Sequence, residues 1–297
     1  MTNIHPLLKS LIDIELPNIE IMDIGAMYEA RERYSIIVEQ GLANVTGFEP
    51  NPSQYAILAT REGPCKYLPY FLGTGKAENF NITRYPGCSS LLEPDPTVID
   101  LFSGIGAGQE KDNFHVVSTK RVATKRLDDI TGINQPDFIK IDVQGFELDI
   151  LKHGVKTLEN TLVVETEVEF IPLYKEQPLF CDIQSFFREQ GFVLHKLTDV
   201  SGRMFRPIHS NNPFEPMSQI LWADAIFVRS FLSLEKYSDL DLLKTALIMN
   251  DIYYSYDFVY FLLQEYDKRN NTTLKVQYFK IFNQSPKAQP NFINVKS

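Results

Sequence analysis

Ile19-Glu20-Ile21-Met22-Asp23-Ile24-Gly25 reads as a short strand running into a glycine turn. Isoleucine favours extended backbone, and glycine supplies the turn that ends it. A rhythm follows outward from this stretch. Tyr28 to Gln40 has helical spacing, with Tyr34, Ile37 and Val38 on one side and Gly41 as a C-terminal cap. Val45-Thr46-Gly47-Phe48-Glu49 is a second strand, stopped by Pro50. Asn51-Pro52-Ser53 opens a second helix, because a polar cap followed by proline is a start signal. Tyr67 to Leu72 is a third strand. Strand, helix, strand, helix, strand is the pattern of a doubly wound parallel sheet.

Glycine, proline and serine from Gly73 to Gly108 predict loops and irregular connections. A β-like stretch spans His115 to Leu127. Strands are expected at Asp137 to Val143, Leu162 to Val168, Phe192 to Leu197 and Ala225 to Arg229. Helices are expected from Glu147 to Lys152, stopping near Gly154, and from Ile183 to Gln190, ending at Gly191. From Leu232 onward the pattern is helical and rich in tyrosine, and the polar tail after Gln284 is expected to fray. This divides the chain into residues 1–230, a cofactor-binding domain, and 231–297, a helical extension.

The composition narrows the function classes. Of 297 residues, 44% are hydrophobic and 23% charged, which excludes a disordered chain or a disulfide scaffold. With 29 basic and 38 acidic residues the net charge is −9, a poor basis for binding nucleic acid or an anionic membrane. Cys65, Cys88 and Cys181 cannot all pair with one another and none lies in a C-x-x-C, so a reduced cytoplasmic setting is expected. Met1 to Pro17 is interrupted by His5, Pro6, Lys9, Asp13 and Glu15, unlike a signal peptide. No apolar run approaches the roughly 20 residues of a membrane span.

Ligands in such sheets bind at the carboxyl ends of the strands. Asp23, Gly25 and Ala26 end the first strand, and Glu49 ends the second, near the position roughly 20 residues on where an acid holds ribose hydroxyls. A dinucleotide pyrophosphate needs G-x-G-x-x-G, but only Gly25 is present. Met27 and Glu29 stand where further glycines are wanted, and Glu29 places a negative charge against a phosphate. S-adenosylmethionine has an adenosine, no phosphate and a cationic sulfonium, so it suits the site better than NAD.

Asp137-Phe138-Ile139-Lys140-Ile141-Asp142-Val143-Gln144-Gly145-Phe146-Glu147 is the second informative segment. A strand buried on both faces should be almost entirely apolar. This one carries Lys140 and Asp142 two residues apart, on one face. Burying either charge alone is costly, so each is expected to pair with the other or with a near neighbour. Gly145 lets the backbone turn into a helix, whose positive end favours Glu147.

These residues resemble the FkbM family of S-adenosylmethionine-dependent methyltransferases. Phe138 to Glu147 is similar to that family's I-K-I-D-V-E/Q-G-x-E hallmark, and Met22-Asp23-Ile24-Gly25-Ala26 and Gly47-Phe48-Glu49-Pro50 to its two cofactor motifs. Ser89-Ser90-Leu91 and Thr124 to Asp129 resemble further family segments in the same order, and the resemblance runs from about Ile21 to about Lys196. It implies an α/β fold: a Rossmann-like class I methyltransferase sheet of seven strands, the last antiparallel, with helices on both faces and a helical C-terminal extension. It also implies methyl transfer, often to a hydroxyl of a sugar or natural product. By that resemblance Asp23, Gly25 and Ala26 line the methionine part of the cofactor, Glu49 with Pro50 and Asn51 lies at the ribose, Ser90 joins the cofactor site, and Asp142 lies near the sulfonium. The family's usual second glycine in the first motif is Glu29 here.

The acceptor's proton must leave during methyl transfer, and a general base contributes roughly 10² to 10⁴-fold. Candidates at strand carboxyl ends are Asp142, Glu165, Glu167 and His195, with one of the two glutamates facing the site. Lys140 is expected as an ion-pair partner. Asp128, Asp129 and Asp142 could be assembled around a divalent metal, but no spacing demands it, and none is expected. The basic residues between Ser118 and Arg126 read as a solvated strand face, and the aromatics from Asp251 to Phe261 as packing or a homodimer contact. The loop Ile171 to Phe180 is placed either to act as a lid or as a plain connection. The acceptor is expected to be a small molecule or a carrier- or peptide-bound group. N-methylation of a side-chain amide, a nucleotide-cofactor oxidoreductase or epimerase, and a non-catalytic binding module stand as alternatives.

Overall fold

The structure, a computed structural model, describes residues 7–10, 16–27, 32–212, 214 and 218–284. It divides into two compact units. One comprises Glu20–Tyr28 and Val45–Ser230, the other Met1–Ile19, Glu29–Asn44 and Phe231–Ser297.

The first unit is built on a seven-stranded sheet. In chain order its strands are β1 (Ile19–Ile24), β2 (Ala43–Phe48) and β3 (Cys65–Leu68), followed after an insertion by β7 (Phe138–Ile141), β8 (Val163–Glu169), β9 (Phe192–Gly202) and β10 (Ile220–Arg229). The insertion supplies β4 (Phe71–Leu72), β5 (Ala77–Thr83) and β6 (Val116–Lys125). The spatial order is β3-β2-β1-β7-β8-β10-β9. β2 pairs with β3, β1 with β7 and β7 with β8 in parallel, whereas β10 is antiparallel to both β8 and β9. This is the expected seven-stranded sheet with its last strand antiparallel. The order reverses beside β1, so a crevice opens at the carboxyl ends of β1 and β7.

Burial explains the central strands. Phe138, Ile139 and Ile141 of β7 and Val163, Val164 and Val168 of β8 are fully enclosed, as a parallel strand covered on both faces requires. Two helices pack into this core, α4 (Glu147–Lys152) through Leu148, Ile150 and Leu151, and α6 (Phe180–Glu189) through Ile183, Phe186 and Phe187. The Phe187 ring stacks on Phe227 of β10 at 4.3 Å and meets Phe192 of β9 edge-on at 5.5 Å.

The structure departs from the sequence pattern in three places. The strand expected from Tyr67 to Leu72 is broken at Pro69, which has no N–H to give a ladder. Its two ends belong to different sheets: β3 to the main one, and β4 to a three-stranded sheet of order β4-β6-β5. The loops expected from Gly73 to Gly108 contain β5, antiparallel to β6, and a short helix α3 (Pro96–Ile99) capped by Asp95. Finally, β9 runs on to Gly202 and β10 starts at Ile220, because each completes the other's ladder beyond its apolar segment.

In the second unit the short helix α1 (Ser35–Glu39) ends at Gly41, whose φ of +67° gives the left-handed turn that stops it. Residues 28–31, where that helix was expected to begin, lie outside the described residues. The C-terminal helices are α7 (Asp239–Asp251), α8 (Tyr256–Asn270) and α9 (Leu274–Gln284). Ser238 and Asp241 form a reciprocal capping box at the start of α7. The aromatic stretch packs within its own unit: Phe231 meets Phe258 at 5.5 Å, and Val259 and Leu262 are fully buried. The tail beyond Gln284 lies outside the described residues.

Candidate active site

The crevice is formed by two turns in contact. Gly25 and Ala26 both donate their N–H groups to the Phe48 carbonyl, each at 3.1 Å, which ties the end of β1 to the end of β2. The Asp142 N–H donates to the Ile24 carbonyl at 3.0 Å, tying β7 to β1. Gly25 has a φ of +86°, a conformation costly for other residues. Gly47 is required for a different reason: a Cβ there would lie 2.5 Å from the Tyr67 ring.

Glu49 closes this side of the crevice. It is buried, and its Oε1 accepts from the Asn51 N–H at 2.6 Å. Burial, helped by the charge of Asp23 and opposed by the Asn51 hydrogen bond, pushes its carboxyl up to about 7. Asn51 caps α2 (Pro52–Leu58) by accepting from Ser53 N at 3.0 Å, as the Asn51-Pro52-Ser53 signal predicts, and Pro50 spans the two functions.

The acidic side is organised in rows across the sheet. Asp23, Lys140 and Glu165 stand opposite one another on β1, β7 and β8. Lys140 Nζ lies 3.8 Å from the buried Asp23 Oδ1. A cross-strand partner is about 4.8 Å away and a next-but-one residue nearly 7 Å, so Lys140 meets Asp23 across the sheet. Glu165 and Glu167 point to one face, since residues two apart on a strand always do. They differ by row and not by face: Glu165 stands level with Lys140, and Glu167 is one step closer to the crevice.

Gln144 links that next row. Its Nε2 donates to Asp142 Oδ1 and to Glu167 Oε2, both at 2.9 Å. Its backbone has a φ of +62°, and its carbonyl accepts from Ser90 Oγ at 2.7 Å. Ser90 also accepts from Leu92 N at 3.0 Å, so it fixes the turn around Gln144. The Tyr174 hydroxyl stands 2.9 Å from the Cys88 carbonyl oxygen and 3.2 Å from Gln144 Oε1. Beneath them the buried Glu147 accepts from Val143 N at 2.8 Å and Gly145 N at 3.2 Å through one oxygen.

Burial raises the carboxyls of Glu147, Glu167 and Glu169, and their mutual charge with Asp142 raises them further. Glu147, Glu169, Gln144 and Tyr174 were not expected as members of the site. Glu169 had a signal in the Glu165, Glu167, Glu169 alternation. Tyr174 had none, because residues far apart in sequence bring it to Gln144.

Other candidates are placed elsewhere. His195 sits near the start of β9, at a bulge on the edge strand two strands from Glu165, because β9 runs on past it. Asp128 accepts from Lys156 N at 3.1 Å and Thr157 N at 2.9 Å, capping α5 (Val155–Leu158). The loop Ile171 to Phe180 is pinned and not open, with Tyr174 buried and Gln177 Oε1 accepting from Leu173 N at 2.7 Å. The basic strand face on β6 is largely exposed, as expected, and Lys125 lies over the Tyr70 ring at 3.5 Å. Cys65, Cys88 and Cys181 are free thiols. Among the described residues no helix is long and apolar enough to cross a membrane.

Known proteins show related sequences. The chain is 29% identical over 183 residues to the 2-O-methyltransferase NoeI of Sinorhizobium fredii (strain NBRC 101917 / NGR234), covering 59% of this chain and 72% of that protein. Two solved structures are distantly similar. Methyltransferase FkbM from Methylobacillus flagellatus KT aligns with a TM-score of 0.40 at 15% identity, over 71% of this chain and 43% of that one. Magnesium protoporphyrin IX methyltransferase from Synechocystis PCC 6803, solved with bound SAM, aligns with a TM-score of 0.36 at 11% identity, over 75% and 76%. The Methyltransferase FkbM domain matches residues 23–194, more than half of the chain and all of the crevice described above, and the chain belongs to that methyltransferase family.

Proposed function

We propose that this protein transfers the methyl group of S-adenosylmethionine to a hydroxyl oxygen of a small-molecule acceptor, a sugar or natural product. The meeting of Asp142 and Glu167 beside the Gly25 turn, bridged by Gln144, carries this reading. Glu49 holds the ribose diol, with Pro50 and Asn51 shaping its approach. Asp23, Gly25 and Ala26 line the methionine end, and Ser90 supports the turn facing it. In the reaction the sulfur–methyl bond breaks as the oxygen–methyl bond forms, so the sulfonium becomes a neutral thioether. The acceptor's proton passes to the Asp142–Glu167 pair, the carboxylates nearest the crevice. Lys140 and Glu165, one row behind, hold Asp23 in place. The similarity to NoeI, a 2-O-methyltransferase, supports a hydroxyl acceptor.

The test has two stages. Calorimetric titration of the full chain with S-adenosylmethionine is expected to give one saturable site. Release of S-adenosylhomocysteine is then followed with polyols, hydroxylated natural products and amide-bearing peptides. Turnover with hydroxyl acceptors supports the reading. Turnover with amides alone overturns the O-methylation, and absence of cofactor binding overturns the whole.

A further inference from the structure

Among the described residues, Asp142, Glu147 and Glu167 bring one carboxylate oxygen each within 4.8 Å of one another. Two observations outside this triad point to a ligand held between them. Glu169, two residues beyond Glu167 on the same face of β8, is 2% exposed. Its Oε2 has no hydrogen-bond partner, and Glu147 and Asp142 are the charges that act on it most strongly. The second observation is a count of hydrogens. Tyr174 is buried and its hydroxyl has one proton, yet it faces two acceptors, the Cys88 carbonyl and Gln144 Oε1. A half-turn of the Gln144 amide removes that conflict, since Nε2 then donates to the Tyr174 oxygen. The same turn presents Oε1 to Asp142 and Glu167, where a cation would satisfy all three oxygens.

We propose that Asp142, Glu147 and Glu167 bind a hard divalent cation, with the turned Gln144 Oε1 as a fourth ligand. An all-oxygen set selects Ca²⁺, Mg²⁺ or Mn²⁺ over softer metals. The anchored oxygen of Glu147, held by Val143 and Gly145, leaves its other oxygen for the ion. Resting on the hydroxyl-acceptor reading, the role of the cation is to bind the acceptor oxygen and hold it in line with the transferring methyl group.

The experiment titrates Ca²⁺ and Mn²⁺ into the full chain by calorimetry, with Mn²⁺ also followed by electron paramagnetic resonance. Wild type, Glu167→Gln and Asp129→Asn are compared, and each is titrated separately with S-adenosylmethionine. One saturable cation site is expected, at least tenfold weaker in Glu167→Gln and unchanged in Asp129→Asn. No saturable cation binding by wild-type protein that binds S-adenosylmethionine overturns the cation site and leaves the methyl-transfer reading standing. Equal affinity in wild type and Glu167→Gln also overturns it, since the ion would then lie elsewhere. Cation binding without cofactor binding supports this site while the cofactor assignment fails.

Discussion

The backbone carbonyl oxygen of Asp142 lies 2.0 Å from where a Cβ on Gly25 would stand. The turn after β1 and the turn after β7 therefore touch, and glycine is the residue that permits it. Gly25→Ala would add this collision to the roughly 1–2 kcal/mol cost of a left-handed alanine. The variant is expected to lose cofactor binding and unfold at lower denaturant. Wild-type values in both measurements would show that the contact has no role.

Glu49→Gln is expected to weaken S-adenosylmethionine binding by about 1.5–3 kcal/mol, the range for hydrogen bonds to a charged group. The wild-type affinity should also depend on pH. With the carboxyl titrating at about 7 and its ionised form accepting from the ribose, binding strengthens about tenfold from pH 6 to pH 8. Calorimetry across that range should show the slope in wild type and none in Glu49→Gln. A flat wild-type profile would count against the ribose assignment.

Asp142→Asn keeps shape and removes charge. Turnover is expected to fall further than cofactor affinity, because the carboxylate matters most as the acceptor proton leaves. Single-turnover methyl transfer beside equilibrium binding separates the two. Equal losses would make Asp142 a binding residue only.

Asp251 makes a stability prediction in the second unit. It is buried, and its Oδ1 accepts from Leu8 N at 3.1 Å and Asn250 Nδ2 at 2.5 Å. Its Oδ2 has no partner, and burial pushes the carboxyl up to about 6 from its ordinary 3.8. The folded state thus holds the proton more tightly than the unfolded state, so stability is full below pH 4 and falls as pH rises through 6. The loss is on the order of 2–3 kcal/mol. Urea unfolding between pH 4 and 7 should show this decline in wild type and a flatter profile in Asp251→Asn. An equal decline in both would assign the effect to other groups.

Much of the fold was legible in order along the chain. The run of isoleucines before Gly25, the cap at Asn51 and the apolar core of β7 each act through neighbours within a few residues, so local chemistry suffices to read them. The strand broken at Pro69 and the hidden β5 were less legible, because pairing with β6, more than thirty residues on, decides them. The site divides the same way. Asp23, Gly25, Glu49 and Asp142 mark strand ends, and strand ends are visible as changes in pattern.

The sequence by itself determined that charges occupy buried strands: Lys140, Asp142, Glu165 and Glu167 stand where apolar side chains belong. Which of them meet was decided by tertiary structure. Parallel register sets Lys140 beside Asp23 and not beside Asp142. The position of Tyr174 and the left-handed turn at Gln144 bring one amide between two carboxylates from different strands. Partners across a sheet are chosen by register and by the path of distant loops, and neither is written in the spacing of adjacent residues.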